Sequence, residues 1–200
     1  MPPHSGAAVS RIVAGIAGGT VLVSVAGDGT RPTTDRVKEA LFSRLESMNM
    51  LDDVRVLDLY AGSGSLGVES ASRGAKSVQL VESDEKAAAV CQRNAELINK
   101  VLGSKKVTVQ RSRVETFLMR VAEAGVEEWD LVFMDPPYPL GEAELSAVLD
   151  LLGPRLSSYA IVVVERSART PEPSWPASLE LLAERKYGET RLWFAEPSAV

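Results

Sequence analysis

The chain has 200 residues, 45% of them apolar and 24% charged, with a formal net charge of −5. That is the composition of one globular domain with a sizeable core, and it excludes a disordered or collagen-like chain. One cysteine (Cys91) and one histidine (His4) exclude an internal disulfide, a Cys/His zinc cluster and a histidine-dependent triad, so no metal is expected.

No run approaches the roughly 18 apolar residues of a membrane span, and no membrane partner is expected. The start, MPPHSGAAVS, has no basic stretch leading into an apolar one, so a cytoplasmic protein is expected. Charge is uneven along the chain. Residues 1–55 carry six basic and six acidic side chains, whereas the remainder carries 16 basic and 21 acidic ones. An acidic chain is a poor non-specific binder of nucleic acid, so the neutral first segment hints at a separate role.

Residues 1–10 read as a flexible tail. The apolar runs RIVAGI and TVLVSV flank Ala17-Gly18-Gly19, the pattern of a hairpin with a tight glycine turn. Thr33 or Thr34 caps a helix through Val37–Met48, whose apolar residues Val37, Ala40, Leu41 and Leu45 fall at helical spacing. From Val54 the rhythm changes to alternating strands and helices. Strands are expected at Val54–Tyr60, Ser77–Glu82, Val107–Gln110, Asp130–Met134 and Tyr159–Glu165. Helices are expected through Ala71, from Asp84 to about Val101, from Val114 to about Ala124, and over Glu142–Leu152. Leu179–Lys186 and Thr190–Ala195 flank Tyr187-Gly188-Glu189 as an antiparallel edge hairpin. The expected fold class is α/β: a Rossmann-like, doubly wound sheet with helices on both faces, preceded by a hairpin and helix over residues 11–50.

Two motifs carry chemistry. In VLDLYAGSGSLG, Val56 to Gly67, a strand ends in a glycine-rich turn that opens a helix. Gly62 and Gly64 let a ligand approach the backbone. Glu82, twenty positions after Gly62 at the end of the next strand, can accept hydrogen bonds from ribose hydroxyls. Read alone, this leaves an NAD-dependent oxidoreductase open. Asp58 inside the strand pulls away from it, because a negative charge there suits a cation such as the sulfonium of S-adenosyl-L-methionine (AdoMet) better than a pyrophosphate. The second motif is Asp135-Pro136-Pro137-Tyr138. Its prolines have no N–H to donate, its carboxylate and carbonyls accept from an amine, and Tyr138 offers a flat face for a base.

These two motifs together resemble the AdoMet-dependent methyltransferases that modify exocyclic amines of bases. The stretch Arg31-Pro32-Thr33-Thr34-Asp35-Arg36-Val37-Lys38-Glu39-Ala40-Leu41-Phe42 and the Tyr187-Gly188-Glu189-Thr190 turn are similar to those of the bacterial enzymes that methylate guanine N2 in 16S rRNA. The resemblance covers residues 11 to about 196. It implies a class I methyltransferase domain over residues 51–200 and an RNA-facing extension over residues 11–50. It places Asp58, Tyr60, Gly62, Gly64, Glu82, Ser83, Ser112 and Arg113 around AdoMet, with Asp135, Pro136 and Tyr138 on the target guanine. Arg31, Thr33, Arg36 and Lys38 would meet the RNA, as 16S rRNA in the small ribosomal subunit or an assembly intermediate. Where that family carries arginines in the first hairpin turn, this chain has Ala17-Gly18-Gly19-Thr20. An adenine-N6 methyltransferase of DNA or RNA also fits these motifs; a non-enzymatic RNA-binding module is a third alternative, against which intact Asp135, Tyr138 and Glu82 argue.

Overall fold

The computed structural model describes residues 10–25, 35–125, 128–137 and 140–199. The expected tail over residues 1–9 lies outside them, as do Arg31, Thr33, Thr34 and Tyr138. The elements run in the order α1 (Asp35–Ser47), β1 (Arg55–Leu59), α2 (Ser65–Ser72), β2 (Ser77–Glu82), α3 (Glu85–Leu102) and β3 (Val107–Arg111). They continue with α4 (Val114–Ala124), β4 (Trp129–Met134), α5 (Glu142–Leu152), β5 (Leu156–Ser167), β6 (Leu179–Tyr187) and β7 (Thr190–Pro197). Local signals account for several boundaries. Asp84 caps α3 by accepting from Ala87 N–H at 2.8 Å, and Gly103 and Gly125 close α3 and α4 in the left-handed region.

The seven strands form one sheet in the order β3-β2-β1-β4-β5-β7-β6. The first five are parallel, and β7 runs antiparallel between β5 and β6. The chain leaves β1 toward β2 and β3, then crosses back to β4 on the other side of β1. That reversal opens a crevice at the carboxyl ends of the strands. Leu59 and Met134 are register partners, so the turn after β1 and the Asp135 segment after β4 leave neighbouring strands at the same edge.

Side-chain alternation divides the core into two layers. Leu57, Leu59, Val132, Met134, Val162 and Val164 face Phe117 and Leu118 of α4 and Leu145, Val148 and Leu149 of α5. Val56, Val78, Leu80, Leu131, Phe133 and Val163 lie in the opposite layer with Leu41, Phe42 and Leu45 of α1, Val68 of α2 and Cys91 and Ile98 of α3. Every residue of β4 is buried, as a strand covered on both faces requires.

The first hairpin differs from expectation. The two runs do pair antiparallel, but briefly: Arg11 bridges Val21, with Ile12 N–H donating to Thr20 O and Leu22 N–H to Ser10 O. The connection is a wider loop of successive turns, with Gly18 N–H donating to Gly15 O and Thr20 N–H to Ala17 O, in place of a two-residue glycine turn. The reason lies in α2, which takes the hydrogen bonds a longer ladder would use. Glu69 accepts from Val13 N–H at 2.7 Å and Ala14 N–H at 3.0 Å. Ser72 Oγ accepts from Ala17 N–H and donates to Ala14 O, and Ser72 O accepts from Ile16 N–H. Gly15 permits this approach: at φ 84° a Cβ there would stand 2.0 Å from Ser72 O. Ile12, Ala17 and Leu22 are buried in the same layer as α1–α3.

Candidate functional site

The turn after β1 is built from left-handed residues. Tyr60, Gly62 and Gly64 have φ of 60°, 56° and 78°. Beyond the turn, a Cβ on Gly67 would stand 2.2 Å from Leu80 Cδ2, so the glycine lets α2 pack closely on β2. Two carboxylates hold the turn. Glu82 Oε2 accepts from Gly62 N–H at 2.8 Å, and its Oε1 accepts from Asp84 N–H at 2.8 Å. Beneath them Asp58 Oδ2 accepts from Gly67 N–H at 3.0 Å.

Gly67 lies in the first turn of α2, where unsatisfied N–H groups make the usual seat for a phosphate. Here a protein carboxyl occupies one of those donors, and Glu82 occupies the donor at Gly62. Asp135 adds a third acidic group at the same edge. Burial pushes the Asp58 carboxyl well above the usual carboxylate range, against the Gly67 hydrogen bond, with Asp135 and Glu82 raising it further. Asp135 is exposed as a residue, and desolvation by the protein around its carboxyl pushes that carboxyl up to about 6. No ion pair involves Asp58, Glu82 or Asp135 among the described residues. An edge with this charge repels a pyrophosphate and attracts a cation. The cationic sulfonium and ammonium groups of AdoMet suit such an edge better than the pyrophosphate of NAD does.

The structure sorts the expected site residues. Gly62, Gly64, Glu82 and exposed Ser83 lie together at the crevice. Ser112 N–H donates to Glu82 O at 3.1 Å, which brings the end of β3 beside them. Arg113 stands at the start of α4, exposed, with its guanidinium 3.6 Å from Glu115. Tyr60 is half-buried against the α4–α5 layer, and its buried hydroxyl has no partner among the described residues. Asp58 is corrected from a contact residue to a support: it is 3% exposed and is spent on Gly67.

Asp135 is exposed and Pro136 buried, and no donor among the described residues reaches the Asp135 carboxylate. Arg166 of β5 pairs with Glu142 of α5 at 2.7 Å, anchoring the far side of this segment. Arg36 is exposed on α1. Lys38 is corrected: it is 3% exposed, donates to Arg11 O at 2.8 Å and lies 3.7 Å from Glu69, so its ammonium is closed to RNA.

Two polar residues escaped the sequence reading. Glu69, 0% exposed, gathers Val13, Ala14, Lys38 and Arg73. Asn94, 0% exposed, donates through Nδ2 to Ser63 O at 2.9 Å and Val23 O at 3.0 Å, while its Oδ1 accepts from Val23 N–H at 2.9 Å. The available signal was a polar side chain at core spacing, since Asn94 lies among Val90, Cys91 and Ile98 on the apolar face of α3. Elsewhere on the surface, Lys106 donates to Ala75 O and Arg111 pairs with Glu85.

A family described as Conserved hypothetical protein 95 matches residues 10–196. The Ribosomal RNA small subunit methyltransferase D of Escherichia coli K12 is 35% identical over 190 residues, covering 94% of this chain and 90% of its own. The solved structure of a hypothetical protein from Thermus thermophilus is 31% identical and aligns with a TM-score of 0.77 over 94% of this chain and 99% of its own. Magnesium protoporphyrin IX methyltransferase from Synechocystis PCC 6803, solved with bound SAM, is 16% identical. It shares the fold at a TM-score of 0.63 over 87% of this chain and 88% of its own.

Proposed function

From the premise that the chain belongs to the Conserved hypothetical protein 95 family, that of ribosomal RNA small subunit methyltransferase D, we propose that it transfers a methyl group from AdoMet to the exocyclic N2 amine of a guanine in 16S rRNA. The substrate in this reading is the small ribosomal subunit or its assembly intermediate in the cytoplasm. The observation that carries it is the pairing at one sheet edge of the acidic glycine turn with Asp135-Pro136, on adjacent strands β1 and β4.

When bound, AdoMet supplies an electrophilic methyl on a good leaving group, so the protein's work is orientation. Glu82 takes the ribose hydroxyls and fixes the turn through Gly62. Asp135 and the Pro136 carbonyl accept the two N2 protons, which turns the nitrogen lone pair out of conjugation with the ring. Tyr138 stacks on the base. An Asp135 carboxyl raised to about 6 is a better proton acceptor than an ordinary carboxylate and can take the proton the amine loses. Residues 11–50, with Arg31, Thr33 and Arg36, face the RNA in this reading, and Lys38 holds the segment from inside.

The test has two arms. Calorimetric titration with S-adenosylhomocysteine and with NAD should show binding of the first alone. Labelled methyl transfer from AdoMet to unmethylated small ribosomal subunits should then show stoichiometric incorporation into 16S rRNA. Binding of NAD, or label in DNA alone, would overturn the reading.

A further inference from the structure

Asn94 is the one side chain among the described residues whose hydrogen bonds join the glycine turn to the N-terminal segment. Its amide is planar and its two Nδ2 hydrogens go to different segments, one to Ser63 O and one to Val23 O, while Oδ1 returns to Val23 N–H. Being wholly buried, the amide cannot exchange either partner for water without leaving a polar group unsatisfied. One turn earlier on the same helix, Cys91 packs directly beneath the glycine turn: a Cβ on Gly64 would stand 2.9 Å from its Sγ. The turn, α3 and Val23 are therefore tied together by one rigid group. Val23 leads in sequence to residues 26–34 and α1, the stretch that holds Arg31 and Arg36.

We propose that Asn94 is a positioning residue that couples occupancy of the cofactor turn to the placement of the N-terminal segment, so that cofactor and RNA bind with positive linkage. The inference rests on the proposed function for the identity of the two ligands. Its physical content is separate: ordering Ser63 orders Val23, and by reciprocity ordering Val23 orders Ser63. Lys38 and Glu69 pin the segment at Arg11, Val13 and Ala14. Asn94 thus sets the position of its other end.

The experiment uses the full chain and two variants. Asn94→Ala removes all three hydrogen bonds. Val23→Pro removes only the Val23 N–H donor, at a residue 40% exposed, and leaves both Asn94 Nδ2 bonds, to Ser63 O and Val23 O, in place. Hydrogen exchange is followed over residues 12–25 with and without S-adenosylhomocysteine. The affinity for S-adenosylhomocysteine is measured with and without unmethylated small subunits.

The wild type is expected to gain protection over residues 12–25 on adding S-adenosylhomocysteine, and to bind it several-fold tighter beside the subunit. In Asn94→Ala that protection should disappear and the affinity ratio should fall to about one; in Val23→Pro, which keeps the Asn94 Nδ2–Val23 O bond, both should fall below the wild-type values. Asn94→Ala should also lose about tenfold in affinity for S-adenosylhomocysteine alone. If Asn94→Ala does not fold, Val23→Pro decides the matter. The proposal is overturned by a wild type without ligand-dependent protection, or by a folded variant that keeps the wild-type ratio. A wild type that shows protection but transfers no methyl group to the subunit would instead overturn the proposed function.

Discussion

The two ends of the β1–β4 pair treat charge in opposite ways. At the amino end Arg55 donates from its backbone N, Nε and Nη2 to Asp130 at 2.8–3.0 Å. Burial of Asp130 works against its ionised form, but these hydrogen bonds outweigh it and hold the carboxyl well below the usual range. At the carboxyl end Asp58, Glu82 and Asp135 have no cationic partner among the described residues, and two of them are pushed upward. A satisfied pair stabilises the fold, whereas uncompensated carboxylates weaken it and persist where a ligand supplies the missing charge. The difference separates an amino end that holds the fold from a carboxyl end where the proposed site lies.

The comparison breaks most sharply at Asp135. Asp135→Ala should lower single-turnover methylation by roughly two orders of magnitude or more, while calorimetry finds affinity for S-adenosylhomocysteine unchanged. Asp135→Asn, which keeps one carbonyl acceptor, should retain part of the rate. Glu82→Ala comes next. Losing charge-assisted bonds of roughly 1.5–3 kcal/mol should weaken S-adenosylhomocysteine binding by about one to two orders of magnitude.

The amino end predicts the reverse pattern. Asp130→Ala leaves Arg55 without its main partner, and urea unfolding should show a loss of about 2 kcal/mol, discounted because the Arg55 side chain is 35% exposed. Affinity for S-adenosylhomocysteine should not change. Because the folded carboxyl is depressed, this contribution is present above the ordinary carboxylate range and is lost as the pH falls through and below it.

The smallest effect has the opposite sign in pH. The Asp135 carboxyl is raised, so its contribution to stability is present at low pH and is lost as the pH rises through about 6. Asp135→Asn should therefore be more stable than the wild type at pH 8, by about 1 kcal/mol after allowing for solvent screening. The gain should vanish near pH 4. In the wild type, kcat/KM should fall below pH 6 as the acceptor is protonated.

The strand and helix order of residues 54–196 was legible because each element has its own period and its own punctuation. Asp84 starts α3 where expected, and α3 and α4 end within a residue of the expected positions, closed by Gly103 and Gly125. The glycine turn and Glu82 were legible because their spacing follows from strand-turn-helix geometry. Of the first hairpin the antiparallel pairing was legible and the wide loop was not, since Val13, Ala14 and Ala17 N–H go to Glu69 and Ser72, more than fifty positions away. Lys38 misled for the same reason. A lysine on a predicted helix reads as solvated, and only the tertiary contact with Glu69 and Arg11 buries it. Asp58 was read as a charge for the ligand, but a strand residue four positions before Gly62 sits beneath the turn, within reach of Gly67 N–H.

The most direct measurement is mass mapping of nucleosides from 16S rRNA after unmethylated small subunits are incubated with the enzyme and AdoMet. The account predicts one new methylated guanosine, carrying its methyl group on N2. A methyl group on adenine N6, on a ring carbon or on a ribose hydroxyl would contradict the placement of an exocyclic guanine amine against Asp135 and Pro136.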